Sequence, residues 1–207
     1  MRSDSSFVST IDTMAQNTDK CTNNLFLFSK EDIIRQSEKG LSFLKTRYGA
    51  EHFAFYLQSF SNTFAPCEKL KELYDFVLSL HSWEGFIVST RPDCIDEKKL
   101  ELLESYKKKG LEVCVELGLQ SGDDEILTSM NRGHDVNCFF KAAKAVKAHG
   151  LSLCVHILTG FPGEGKAELD KTVFALNYVH PDALKIHNLN IVAGTELYRR
   201  LPEGEIT

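Results

Sequence analysis

The sequence has no excess of positive charge, no long apolar run and no closely spaced cysteines, and each absence excludes a class of protein. Across 207 residues, 29 Asp+Glu outnumber 24 Lys+Arg, for a formal net charge of −5. That balance argues against a protein that holds nucleic acid by charge alone. No apolar stretch approaches the ~18 residues of a membrane span, and the N-terminus carries no apolar signal core. Six cysteines stand at 21, 67, 94, 114, 138 and 154, with no CxxC or CxxxC spacing among them. Three sit in apolar or strand-like surroundings, which points to reduced thiols in a cytoplasm and away from a secreted disulfide framework. No local spacing of cysteines and histidines supports a metal centre.

What is present is the mix of an ordinary globular protein, 43% hydrophobic and 26% charged. A chain of this size buries roughly 70% of its unfolded surface, so its core needs no staple. It is nonetheless shorter than the ~250 residues of a complete eight-fold α/β barrel.

The first 28 residues, rich in Ser, Thr, Asn and Asp, read as a polar loop or disordered terminus. Residues 29–207 read as one domain, in which strand-like and helix-like segments alternate. Ser29-Lys30-Glu31-Asp32 carries a hydroxyl cap and first-turn acids, and the helical spacing of Ile34, Leu41, Leu44 and Tyr48 ends at Gly49. Strands are expected at 53–60, 86–90, 111–119, 151–159 and 184–189, with helices between them, the longest spanning 123–149. Strand starts fall 25 to 40 residues apart, the length of βα units, so the sheet is expected to be parallel.

These strands begin apolar and finish polar. Phe53-Ala54-Phe55-Tyr56-Leu57 runs into Gln58-Ser59, and Phe86-Ile87-Val88 into Ser89-Thr90-Arg91. Glu116 and Gln120, then His156, then His187-Asn188 mark the later ends. Ligands of parallel α/β folds bind at the carboxyl ends of strands, which is where such side chains belong. A period of two puts Glu116, Gly118 and Gln120 on one face with Cys114, and His156 with Cys154. Glu116, inside Val113-Cys114-Val115-Glu116-Leu117, is costly to bury unless paired. Two uses remain open for it: an ion pair with Lys185 or Arg91, or acceptance of ligand hydroxyls.

One near-miss needs weighing. Gly160-Phe161-Pro162-Gly163-Glu164-Gly165-Lys166 follows a strand and precedes a helix, approaching the phosphate-loop pattern GxxxxGK[ST]. Pro162 deletes an N–H, and Ala167 stands where a metal-binding hydroxyl is needed. A flat ligand face against Gly160 and Gly163 is the better use of these glycines.

Five segments then carry a resemblance: Gln58 to Pro66, Ser89 to Cys94, Val115 to Ser121, Asn131-Arg132-Gly133-His134 and Gly160 to Glu164. In this order and spacing, from about Asp32 to Leu201, the chain resembles radical S-adenosylmethionine (radical SAM) proteins of the YhcC type, related to the radical domain of the Elongator catalytic subunit. The resemblance implies a partial parallel (β/α) barrel of about six strands, open on one side, with the first strand apparently missing. It implies reductive cleavage of S-adenosylmethionine (SAM) at a 4Fe–4S cluster to a 5′-deoxyadenosyl radical, acting on an unknown substrate, with tRNA conceivable. It also implies an electron donor such as flavodoxin or ferredoxin.

By position, Gln120 and His156 approach the ribose, Arg132 the methionine carboxylate, and Glu116 polar groups of the cofactor. Residues 156–160, ending at Gly160, together with His187 and Asn188, border the adenine. Gln58 to Asn62 lie where the methionine ammonium is held. The family's Cys-x-x-x-Cys-x-x-Cys motif is absent, so the cluster ligands are not in this chain. The reading is of a form beginning just past the cluster loop and inactive alone. A non-catalytic SAM- or partner-binding remnant and an unrelated α/β barrel enzyme are the alternatives.

Overall fold

A computed structural model describes residues 6–10 and 29–200. Helix starts and stops follow the side chains that cap them. Helix α1 (Lys30–Tyr48) begins where Ser29 Oγ accepts the Asp32 amide at 3.1 Å and ends at Gly49, whose φ of 64° only glycine adopts readily. Asp96 caps α3 (Glu97–Lys108), Asp123 caps α4 (Asp124–Ser129) and Asp135 caps α5 (Val136–Ala148), each by accepting a first-turn amide. Helices α2 (Cys67–Ser79), α6 (Lys166–Val179) and α7 (Glu196–Arg200) complete the set among the described residues.

Six strands form one parallel sheet in chain order: β1 (Ser6–Thr10), β2 (Phe53–Leu57), β3 (Gly85–Thr90), β4 (Glu112–Gln120), β5 (Ser152–Thr159) and β6 (Ala183–Asn188). Among the described residues β1 and β6 do not pair, so the result is an open, curled partial (β/α) barrel. Strand alternation separates its two faces. Phe55, Leu57, Phe86, Val88, Val115, Leu117, Leu153 and Val155 point outward into a single core with Leu70 and Val77 of α2, Leu100 and Leu103 of α3, and Phe139 and Val146 of α5. Burying each such side chain contributes roughly 2 kcal/mol, so this face holds the helices on. Ala54, Tyr56, Ile87, Cys114, Glu116, Cys154 and Lys185 face the other way and line a lumen of about 960 Å³.

Three sequence expectations need correction. Residues 6–10, read as polar loop, form β1 in parallel register with β2, Ser6 opposite Phe53 and Thr10 opposite Leu57; the remainder of 1–28 lies outside the described residues. The strand expected at 53–60 stops at Leu57, because Phe60 takes a positive φ of 67° and turns the chain. The helical region 123–149 is two helices, divided where Asn131 (φ 54°) breaks α4 after one and a half turns. That break carries the Arg132-Gly133 pair toward the strand ends.

Candidate functional site

At the carboxyl ends of the strands lies a cleft of about 380 Å³. Of the eight residues singled out from the sequence, Gln58, Glu116, Gln120, Arg132, His156 and His187 all line it. They come from the ends of β2, β4, β5 and β6 and from the loop after α4. Gln120 is aimed by an irregularity in the β4–β5 register between Gly118 and Gln120, where its own φ is 69°. Gly118 leaves the floor open: a Cβ there would collide with the Gln120 amide and stand 3.5 Å from Arg132 Nη2. The His156 and His187 rings are 5.3 Å apart, tilted by 33°.

Two of the eight are placed differently. Asn62 is buried, its Nδ2 donating to Leu57 O and Ser89 O, both at 2.9 Å, so it ties the β2 and β3 ends together. Gly160 is a turn position with φ 88° whose amide donates to Glu164 Oε2 at 2.7 Å. A Cβ on Gly160 would meet nothing within 4 Å, so the glycine borders open space. Phe60 and Ser61, within the 58–62 segment given to the methionine ammonium, also line the cleft, as does Phe64, which carried no individual role in the sequence.

Glu116 joins the cleft to the lumen, since it lines both. Its Oε2 accepts hydrogen bonds from Tyr56 Oη at 2.6 Å, Ser89 Oγ at 2.7 Å and His156 Nε2 at 2.7 Å. Its Oε1 pairs with Lys185 Nζ at 2.6 Å, and that ammonium also donates to Tyr56 Oη at 3.0 Å. Burial works to raise the Glu116 carboxyl, but the hydrogen bonds from His156, Lys185, Tyr56 and Ser89 outweigh it and hold it down at about 2. Of the two uses left open for Glu116, the ion pair is formed, with Lys185 and not Arg91. The carboxylate is engaged by four neighbours, His156 at the cleft among them.

Glu116, Cys154 and His156 place ligand-type atoms within 4.8 Å of one another. This is a hydrogen-bonded knot and a poor metal site: the carboxylate is engaged by four donors, and burial pushes the Cys154 thiol up to about 11. Nor do the described thiols suit an iron–sulfur cluster, which needs several thiolates at close quarters. Cys67, Cys94, Cys114, Cys138 and Cys154 are spread over α2, the turn after β3, β4, α5 and β5, and no group of metal-ligating atoms among the described residues contains more than one of them.

Comparison with known proteins places this geometry in a family. Residues 39–176 match the model of the radical SAM superfamily. The chain is 36% identical to protein YhcC of Escherichia coli K12 over 76% of its own length and 51% of that protein's. It is also 36% identical, over 60% of its length, to a tRNA uridine(34) acetyltransferase of Methanocaldococcus infernus, of which it covers 23%. Among solved structures, an N-terminally deleted Elp3 from M. infernus superimposes with a TM-score of 0.72 at 24% identity, covering 88% of this chain and 47% of that one. The chain belongs to the radical SAM superfamily. It spans about half the length of the curated relatives it matches.

Proposed function

We propose that the strand-end cleft binds SAM and serves radical chemistry on an RNA substrate, with tRNA the class suggested by the tRNA-acting relative. The observation that carries this is convergence: two amides, two guanidiniums and two imidazoles arrive in one cleft from five strand ends and a loop. Their chemistry matches the cofactor's, since hydroxyls need acceptors and donors, a carboxylate needs a guanidinium, and adenine needs a flat wall.

In this reading Gln120 and His156 hold the ribose, Arg132 the methionine carboxylate, and His187 with the end of β5 borders the adenine. Gln58 and the backbone of the turn after β2 take the ammonium. Glu116 fixes His156: a carboxylate only accepts, so the neutral ring carries its proton at Nε2 and offers Nδ1 as acceptor. Asn62 keeps the β2 turn in place. In this family SAM, reduced at a 4Fe–4S cluster, supplies a 5′-deoxyadenosyl radical; a flavodoxin- or ferredoxin-type donor and a cytoplasmic setting go with that chemistry. Cluster ligands are assigned to no residue described here.

A second reading, a SAM-binding module without catalysis, is favoured by the scattered thiols. One experiment tests what both readings expect of this chain. The chain is reconstituted anaerobically with iron and sulfide, reduced with dithionite and assayed for SAM binding and for 5′-deoxyadenosine. Binding without cleavage is expected of these residues alone. A stoichiometric 4Fe–4S cluster on this chain would refute the assignment of ligands elsewhere.

A further inference from the structure

The turn after β2 is built inside out. Two of its polar residues, Asn62 and Thr63, are buried at 1% and 0% exposure, while Phe60 and Phe64 each stand 48% exposed at the cleft. Loops left to themselves do the reverse. The burial is enforced: Asn62 N donates to Ser89 O at 3.1 Å, Tyr74 Oη donates to Asn62 O at 2.6 Å, and Thr63 Oγ1 lies 2.6 Å from Thr90 Oγ1 and donates to Cys94 O at 2.8 Å. Phe60 holds a positive φ that a bulky residue rarely takes, and its side chain still stands half exposed. Such strain persists where surrounding structure over-determines it, and it gathers at ligand sites.

The segment that pins this turn also carries Arg91. Its guanidinium is fixed by Asp93, with Nε donating to Oδ1 at 2.8 Å and Nη2 paired with Oδ2. It also lies against Gly133, where a Cβ would collide with it. Arg132, the residue before Gly133, lines the same cleft. Two phenylalanines and two arginines thus line one cleft, Phe60 and Phe64 from the turn after β2 and Arg91 from the end of β3, while the adenine wall is given to β5 and β6.

We propose that Phe60, Phe64 and Arg91 form a preorganised seat for one unpaired nucleotide of a single-stranded RNA, the rings stacking on its base and the guanidinium taking its phosphate. Aromatic rings and a guanidinium lining one cleft suit a base with its phosphate. Rings left half in solvent suit a ligand that continues outside the cleft, whereas a free small molecule is normally enclosed over most of its surface. This deepens the proposed function and rests on it for the radical step, but not for binding.

The test is fluorescence anisotropy with a labelled 12-nucleotide single-stranded RNA containing 2-aminopurine. Saturable binding with quenching of 2-aminopurine is expected. Phe60→Leu and Phe64→Leu, which keep apolar bulk and lose the ring, should each weaken it on the order of 10-fold, while Phe60→Tyr retains it. Arg91→Gln should weaken it several-fold whatever the sequence and flatten its salt dependence. Urea midpoints of all variants are measured alongside, and both Leu variants should match the parent. Absence of saturable binding, or Leu variants that bind like the parent, would overturn the seat. Competition by uridine monophosphate at the same concentration as the 12-mer would overturn its assignment to a polymer. SAM binding on the same samples separates the two claims: RNA binding without SAM binding sinks the proposed function and leaves the seat, and SAM binding without RNA binding sinks the seat and the RNA part of the proposed function but leaves the SAM site.

Discussion

His156 Nε2 lies 2.7 Å from Glu116 Oε2, across neighbouring strands β5 and β4. Around that contact, Tyr56, Ser89 and Lys185 complete the coordination of one carboxylate by four side chains from four strands. The knot ties β2, β3, β4, β5 and β6 together on the barrel's inner face, directly beneath the cleft.

Acid should loosen it. The Glu116 carboxyl titrates at about 2 when folded against an ordinary 4.5, a depressed value, so its contribution is fully present above pH ~4.5 and is lost as pH falls toward 2. The size is on the order of 3 kcal/mol. Urea midpoints of the parent should fall through this window, whereas Glu116→Gln, already weaker by about 3 kcal/mol at neutral pH, should lose less of its stability there. Parallel pH profiles for the two proteins would contradict this account of the knot.

The lumen thiols should be sluggish. Burial, followed by the neighbouring Cys154 and Glu116, pushes Cys114 up to about 12, and burial does the same to Cys154 at about 11. At pH 8 their thiolate fractions are roughly a hundredth to a thousandth of a free thiol's. Iodoacetamide labelling mapped by mass spectrometry should leave both unmodified in the native state and modify them in urea. Rapid native labelling of either would show that the lumen is not as drawn.

Gly122 marks a close approach between the β4–α4 loop and α6. Its amide donates to Thr172 Oγ1 at 2.8 Å, and a Cβ would stand 2.5 Å from Lys171 O and 2.6 Å from Thr172 Cα. Backbone cannot step aside as a side chain does, so Gly122→Ala is expected to cost about 2–3 kcal/mol. Chemical denaturation measures it, and an unchanged midpoint would mean that the loop is not held against α6.

Much of this was legible in the residues, for reasons visible element by element. Strand β5 reads Leu153-Cys154-Val155-His156-Ile157, and alternation alone assigns Leu153 and Val155 to the helices and Cys154 and His156 to the inner face, where they line the lumen and the cleft. Parallel βα topology then gathers the strand ends, so Gln58, Gln120, His156 and His187 meet without further information. The partner of Glu116 could not be chosen that way, because it depends on registers set by the assembled sheet, which place Ser89 opposite Glu116 and His156 opposite Lys185. Asn62 looked like a ligand-facing amide and became a brace, since a turn that leaves β2 at Leu57 needs its carbonyls satisfied. Ser6 to Thr10 gave no apolar run and is a strand through its pairing with β2. Phe60 carried no local signal of its positive φ, which the buried Asn62 and Thr63 impose.

The claim that the strand-end cleft is the SAM site is tested most directly by saturation-transfer NMR of SAM with this chain, which detects weak binding and needs no cluster. The account expects saturable transfer, strongest at the adenosine protons, with Gln120→Ala, Arg132→Ala and His156→Ala each weakening it about 10-fold, the scale of one lost hydrogen-bonding partner. Transfer unchanged in all three variants, or absent from the parent, would contradict it.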